Sequence, residues 1–465
     1  MKYKPTIGLE IHAELDTKTK MFCRCLNDAD ETKPNTNVCP LCMGHPGSLP
    51  VANKEAIKSV LRTGKALGAK LADYTQFDRK NYFYPDLPKG YQISQYQHPL
   101  VEGGELNGVL ITRIHLEEDT GSSSHKGDYS YVDYNRSGVP LMELVTEPVI
   151  STGVDARKFA EEFQLILRYL GVSDADMEKG QMRIEANISV SDTDEFGTKV
   201  EIKNLNSFRA VEQAIDFEIK RQSEALEKGE IIIQETRGWD ENKQITFSQR
   251  KKESSHDYRY FPEPDLPTLK ISEFNFELLI PELPEQKRER FLEDFGLRKD
   301  VAETLIQDKK LADYFENIAS NFSDSGDAVK LVSNYITSDL LSLMKEKSVG
   351  FRDVKISAEN FGKLIKLVSE KKITSRVAKD ILRTMFEEEG DPIKIVEEKG
   401  LEQVSDESVI NDLVEQLVKD NPQPVQDYKD GKEPALKFLV GQGMKLTRGS
   451  TNPVVLEKAL KQRIS

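Results

Sequence analysis

Every cysteine in the chain falls between positions 23 and 42, as Cys23-Arg-Cys25 and Cys39-Pro-Leu-Cys42. Two thiolate pairs separated by a short loop match a structural zinc site with four sulfur ligands, because two tight turns can present the sulfurs tetrahedrally. Free or redox-active cysteines are the alternative. A full set of four ligands leaves no open position for water, so a zinc here would be structural. It would also leave the chain without a cysteine nucleophile.

A second set of residues is quieter. From Ile7 to Leu15 apolar and polar residues alternate, with Gly8, Glu10, His12 and Glu14 on one face. Arg183, Glu185, Asn187 and Ser189 share another such face, Lys199, Glu201 and Lys203 a third, and Arg113, His115 and Glu117 a fourth. The polar face of an antiparallel sheet ordinarily meets water. These faces, however, carry Glu, His, Arg and Asn rather than the Thr and Lys of a solvated strand. Glu143 has Leu141 and Val145 as same-face neighbours, where a carboxylate is costly unless it finds a cation, a metal or a donor. Strict alternation puts Glu118 on the Ile114/Leu116 face unless a bulge intervenes. Carboxylates and a histidine converging on one sheet face suit a divalent cation and a nucleotide. Oxygen ligands favour Mg²⁺, and the histidine leaves Mn²⁺ open.

Neither G-x-x-x-x-G-K-[ST] nor G-x-G-x-x-G occurs. In Gly121-Ser122-Ser123-Ser124-His125 the backbone N–H groups could hold a phosphate, or the run could be a hairpin loop. Asp78-Arg-Lys-Asn-Tyr-Phe-Tyr84 sets two cations beside three aromatics, which suits stacking on an unpaired base or packing in a core.

The elements that must position these residues change character along the chain. Strands are expected at Ile111–Leu116, Tyr129–Tyr134, Leu141–Val145, Gln181–Val190 and Thr198–Lys203, and helices at Lys54–Leu67, Ala156–Leu170 and Phe208–Lys228, the last stopped by Gly229. Closely spaced strands with short turns predict a largely antiparallel sheet in an α+β domain. From Glu285 the pattern is helical, as in Ala302–Phe315, Ala328–Lys345 and Ala358–Glu370. A weaker break lies near Gly400, before Ser405-Asp-Glu, and the last helix is expected to carry Pro434 in its first turn. The expected domains are 1–285, 286–399 and 400–465.

At 465 residues the chain needs more than one core. No run has the apolar length of a membrane span and no signal-peptide pattern opens the sequence, which gives the expectation of a cytoplasmic protein. The net charge of −14 argues against a generally basic nucleic-acid-coating surface. From Ala435 onward, though, only Glu457 opposes Lys437, Lys445, Arg448, Lys458, Lys461 and Arg463. A phosphate backbone would be tolerated there, and an ordinary solvated face is the plainer reading.

These residues resemble the B subunit of the tRNA-dependent amidotransferases that make Gln-tRNA(Gln) or Asn-tRNA(Asn). The likeness runs essentially end to end. It rests on Gly8-Leu-Glu-Ile-His12, Thr36-Asn-Val-Cys39, Asp78–Asp86, Tyr91-Gln-Ile-Ser-Gln95, His115-Leu-Glu-Glu-Asp119, Asp133-Tyr-Asn-Arg136, Arg183-Ile-Glu-Ala-Asn187, Glu201–Phe208 and Asp257–Pro264. The large inserted domain of the archaeal relative is missing, so the chain looks like the bacterial or organellar form. The resemblance implies a cradle similar to glutamine synthetase, then a helical domain, then a small helical tail that binds tRNA. It implies ATP-dependent phosphorylation of the side-chain carboxylate of Glu-tRNA(Gln) or Asp-tRNA(Asn). Ammonia then displaces phosphate; it comes from glutamine hydrolysed in the A subunit, and the C subunit joins the two in a heterotrimer. No DNA or membrane partner is expected. By the same resemblance His12, Glu118 and Glu143 hold Mg²⁺ with Glu10 beside them, and Lys80 and Glu185 lie near the reacting carboxylate or the ATP; the Gly121–His125 turn adds Ser122 and Ser123, with Lys80, as expected ATP contacts. Cys23, Cys25, Cys39 and Cys42 match the zinc-bearing members, and members without them point to a structural role. Two other readings compete: a glutamine-synthetase-like ligase on a free amino acid, which has no need of a basic tail, and a noncatalytic zinc-containing tRNA-binding module, in which Glu143→Gln would leave product formation intact.

Overall fold

The computed structural model describes residues 2–28, 30–251, 258–322, 325–401, 407–447 and 449–464. Asp257, Ser405 and Arg448, singled out above, lie outside the described residues. The chain divides into two compact units, 1–284 and 285–465.

The strands that matter in the first unit are β1 (Lys4–Glu14), β2 (Asp78–Asn81), β3 (Tyr91–Ser94), β4 (Val109–Glu118), β5 (Ser122–Lys126), β6 (Tyr129–Asp133), β7 (Pro140–Thr146), β8 (Met182–Ser191), β9 (Val200–Leu205), β10 (Glu235–Asp240) and β11 (Ile245–Lys251). Among the described residues one ten-stranded sheet runs β11-β10-β9-β8-β1-β7-β4 and then through short edge segments. Its pairs are antiparallel except β9 with β10, so the sheet is mixed rather than uniformly antiparallel. The β10–β11 hairpin has no counterpart in the sequence expectations, because Glu235–Asp240 carries no alternating apolar face.

The helices α1 (Lys54–Ala66), α2 (Gly153–Leu170) and α3 (Phe208–Glu227) cover one face of this sheet. Side chains cap their N-termini: Asn53 accepts from Glu55 and Ala56 N–H, Thr152 from Asp155 N–H and Ser207 from Ala210 N–H. Beyond α3, Gly229 takes the left-handed conformation at φ +76°, which ends that helix. Ile7, Leu9, Ile11, Ala13 and Leu15 are buried beneath these helices with Phe159, Phe163, Val211 and Ile215. Burying that stripe is what commits the other face of β1, with Glu10 and His12, to the open side of the sheet.

The second unit is helical: α4 (Pro284–Glu293), α5 (Lys299–Ile306), α6 (Lys309–Ala319), α7 (Gly326–Asn334), α8 (Leu341–Lys347), α9 (Ala358–Ser369), α10 (Ser375–Glu388), α11 (Pro392–Lys399), α12 (Glu407–Asp420), α13 (Pro422–Lys429), α14 (Glu433–Leu446) and α15 (Pro453–Ile464). The helix expected over Ala302–Phe315 is two helices, because Asp308 caps a new N-terminus on Lys310 and Leu311 N–H. A π-helical segment, Tyr335–Leu340, links α7 to α8. Pro434 does sit in the first turn of a helix, α14, but α15 follows it. α12 to α15 share their own core of Ile410, Val414, Leu417, Leu436, Leu439, Leu456, Leu460 and Ile464. No helix among the described residues is long and apolar enough to cross a membrane.

Candidate active site

The open face of the sheet carries a cavity of about 750 Å³, lined by residues from β1, β2, β4, β7, β8 and β9. Register assembles its centre. His12 lies directly opposite Glu143 across β1–β7, and Glu143 directly opposite His115 across β7–β4. His12 Nε2 is 3.2 Å from Glu143 Oε2 and 3.7 Å from Glu117 Oε1. His115 Nε2 is 3.3 Å from Glu143 Oε2. The donor atoms of His12, Glu117 and Glu143 all lie within 4.8 Å of one another. Burial would lower His12, but the carboxylates of Glu143, Glu117 and Glu185 outweigh it and raise it to about 9. Burial would raise Glu143, and His115 and His12 instead hold it well below the usual carboxylate range. One imidazole and two carboxylates on three strands form a donor set that a divalent cation could use.

Glu118 does not join this set. Alternation continues unbroken along β4 from Arg113 to Glu118, with no bulge there. Glu118 therefore faces the other way, where its carboxylate accepts from the half-buried Lys89 ammonium and from Ile93 N–H at 3.0 Å. Its place is taken by Glu117, which alternation puts on the polar face with His115.

A second carboxylate group lies beside the first. Glu10, Glu185 and Glu201 come within 4.8 Å of one another. Lys203 Nζ is 2.6 Å from Glu185 Oε2 and 4.0 Å from Glu201 Oε1. Asn187 donates to Glu10 at 2.7 Å and Thr236 to Glu201 at 2.7 Å. Burial would lower Lys203; the carboxylates of Glu185 and Glu201 raise it above its ordinary value.

Lys80 enters the cavity from β2. Its ammonium lies 5.1 Å from the Tyr258 ring centre and 5.9 Å from that of Tyr82. Burial would lower it, yet Glu117 and other cavity groups hold it well above the usual lysine range. Arg79, one residue earlier, faces away and pairs in two-pronged fashion with Glu263 at 2.7 and 2.8 Å. The aromatics of this segment are thus divided: Tyr82 lines the cavity with Tyr96, Tyr258 and Tyr260, while Phe83 is exposed. Tyr96 and Tyr260 stack with ring centres 4.4 Å apart.

Asp119, buried just past β4, receives a 2.8 Å hydrogen bond from Arg183, with Arg136 3.6 Å away. Burial would raise it; the two guanidiniums hold it below its usual range. Asp119, His115, Arg183 and Lys203 are cavity residues that the sequence does not single out one by one, although each stands on a polar face or in a motif quoted above.

Ser122 and Ser123 do not line the cavity. They open β5, which pairs antiparallel with β6 from Ser122–Asp133 to Lys126–Tyr129. The run is the hairpin rather than the phosphate loop, because an extended ladder turns successive N–H groups to opposite sides instead of converging them.

The four cysteines gather separately. Cys42 Sγ is 3.4 Å from Cys23, 3.6 Å from Cys39 and 3.7 Å from Cys25. A disulfide would require about 2.05 Å, whereas sulfurs at about 2.3 Å around one zinc lie about 3.8 Å apart. The buried Lys20 ammonium, 3.7 Å from Cys42 Sγ, offsets thiolate charge. The set fits a structural metal.

An α+β unit whose sheet face gathers an acidic cavity with fixed lysines, continued by a helical unit, defines a class suited to chemistry on phosphorylated or carboxylate substrates. The particular family follows from comparison. The family model described as GatB/GatE catalytic domain matches residues 5–277, and that described as GatB domain matches residues 313–464. The B subunit of the aspartyl/glutamyl-tRNA(Asn/Gln) amidotransferase of Thermotoga maritima is 47% identical, with 99% of each chain covered. The proteins of the same name from Persephonella marina and Crocosphaera subtropica are 46% and 45% identical, with 99% and 97% of this chain covered and 99% and 96% of theirs. The chain belongs to this family of amidotransferase B subunits.

Proposed function

We propose that the chain is the ligase component of a tRNA-dependent amidotransferase that converts Glu-tRNA(Gln) or Asp-tRNA(Asn) to the amide. The observation that carries this reading is the meeting of His12, Glu117 and Glu143 beside Glu10, Glu185 and Lys80 in one cavity. The side-chain carboxylate of the aminoacyl-tRNA attacks the γ-phosphorus of ATP and ADP leaves. Ammonia attacks the resulting acyl carbon, the acyl C–O bond breaks, phosphate leaves, and one proton is lost from the new amide nitrogen.

His12, Glu117 and Glu143 would hold Mg²⁺, with Mn²⁺ as the alternative that an imidazole ligand allows. A divalent cation there neutralises phosphate charge. Lys80, held firmly protonated, serves as a fixed cation for the transferring phosphoryl group and not as a base. The carboxylates of Glu10 and Glu185 accept the proton that leaves the amide nitrogen. The tyrosines around Lys80 offer stacking faces for the unpaired 3′ end of the tRNA. Cys23, Cys25, Cys39 and Cys42 would hold zinc, which would fix the loop between β1 and α1.

Ammonia is assigned an outside source: the four cysteines are gathered in one cluster away from the cavity, so none of them serves there as a nucleophile on glutamine. We assign its supply to a glutaminase, the A subunit, with a C subunit completing a cytoplasmic heterotrimer, and tRNA contact to residues 400–465. Reconstituting the three chains and assaying each misacylated tRNA for ATP- and glutamine-dependent amidation tests the reading. It requires that Glu143→Gln abolish product, and unimpaired amidation by that variant overturns it.

A further inference from the structure

The chemistry of the cavity makes no use of Lys20, yet this residue holds a costly position. Its side chain is wholly buried. The ammonium donates to Tyr134 O at 3.1 Å and lies 3.7 Å from Cys42 Sγ. Among the described residues no carboxylate forms an ion pair with it. An ammonium taken out of water is strongly unfavourable unless an anion answers it, and a carbonyl oxygen offers only a dipole. The anion within reach is the sulfur of Cys42.

The cysteine cluster has the matching need. Cys42 is buried, whereas Cys23, Cys25 and Cys39 are half-buried and share their charge with water. A divalent ion among four thiolates leaves two net negative charges. Lys20 answers one of them at the sulfur that water reaches least. Arg24 stands between two of the ligands, but it is exposed, and solvent weakens its field.

The lysine is also held in place at both ends. Its backbone N–H donates to Cys25 O at 3.0 Å, so its main chain grips the first cysteine pair while its side chain reaches the second. Asn53, the cap of α1, donates to Lys20 O at 3.3 Å. On the far side Met21 N–H donates to Gly138 O at 2.7 Å, and Ser137 Oγ donates to Cys42 O at 3.2 Å. The ammonium is thereby fixed against the sulfur before any ion arrives, as outer partners of metal ligands are.

Resting on the zinc reading given above, we propose that Lys20 is the counter-ion of the metal–thiolate group, a positioning residue that spans both cysteine pairs and sets how tightly the chain retains zinc.

The test uses the full-length chain, loaded with Zn²⁺ and titrated with EDTA, with bound metal measured directly. Lys20→Met is expected to lower zinc affinity about 10- to 100-fold. Lys20→Arg, which keeps the charge, should recover most of it, and Arg24→Met should move it by less than about twofold. Thermal midpoints of zinc-loaded and zinc-stripped chain supply the second readout. A lysine that served packing alone would cost both forms equally, whereas a counter-ion costs the loaded form more. Lys20→Gln, which keeps a donor for Tyr134 O without the charge, decides the matter if Lys20→Met fails to fold. Unchanged zinc affinity in the neutral variants, an equal fall in both midpoints, or an equal loss in Arg24→Met overturns the counter-ion while leaving the zinc reading intact. Absence of bound zinc in the unmodified chain sinks the zinc reading itself, and the counter-ion with it.

Discussion

Glu117 and Glu118 are adjacent in the chain and face opposite sides of β4. Glu117 Oε1 lies 3.7 Å from His12 Nε2 on the cavity side, while Glu118 is buried against Lys89 beneath it. Charge and length are the same, so the difference in role is a matter of register alone.

That difference predicts opposite consequences for one substitution. Glu117→Gln removes a charged donor from the cation site and is expected to lower amidation about 10- to 100-fold, partly restored by excess Mg²⁺. Glu118→Gln leaves the half-buried Lys89 ammonium without its carboxylate and should cost about 2 kcal/mol of stability, read by denaturant titration. A metal-activation midpoint that shifts with Glu118→Gln and not with Glu117→Gln would reverse the assignment.

How legible the site is in the sequence follows from the same pair. The alternation on β1, β4, β8 and β9 can be read directly, because one buried stripe forces the other face outward. The clustering of cysteines is equally plain from spacing. Choosing between the two glutamates is not, because it depends on Lys89, 29 residues away, and on a bulge being absent. Gly121–His125 reads as a turn because its residues are small; pairing with β6 overrides that local preference. The break at Asp308 is hidden because helical apolar spacing carries across it, and only the cap on Lys310 and Leu311 reveals a restart.

The cysteine cluster predicts a metal that supports the fold and not the chemistry. Purified chain should carry about one zinc, lost in Cys42→Ser and on prolonged chelation at mildly acid pH. The expected drop in thermal midpoint is at least about 5 °C. Amidation per folded molecule should be retained. A zinc-free variant of normal stability would remove the structural role, and a folded but inactive one would make the metal catalytic.

In the helical unit, the buried Lys287 ammonium is 3.1 Å from Glu316 and also pairs with Asp313. Burial would raise both carboxyls, but Lys287 and Lys309 hold Asp313, and Arg290 and Lys287 hold Glu316, below their ordinary values. Depressed carboxyls contribute stability that is present above their unfolded values of 3.8 and 4.5 and is lost as pH falls through the lower folded ones. Denaturant titration between pH 6 and pH 3 should therefore show a loss that Lys287→Met makes shallower, with Arg290 and Lys309 retaining the rest. An identical acid slope in that variant would rule this pair out as its source.

The last four helices supply the final prediction. Lys461 is paired with Glu457 and Arg463 with Glu415, whereas Lys437, Lys445 and Lys458 make no ion pair among the described residues. Free lysines on a surface are what a phosphate backbone recruits, with displacement of counterions. Because α12 to α15 have a core of their own, removing residues 400–465 should leave the cradle folded and able to hydrolyse ATP. Affinity for tRNA should fall at least about tenfold. Lys437→Glu with Lys458→Glu should reproduce part of that fall and make the dependence of log affinity on log salt shallower by about two units, one for each phosphate no longer neutralised. An unchanged salt slope would place these lysines outside the tRNA footprint, and the tail would then act by another route than charge.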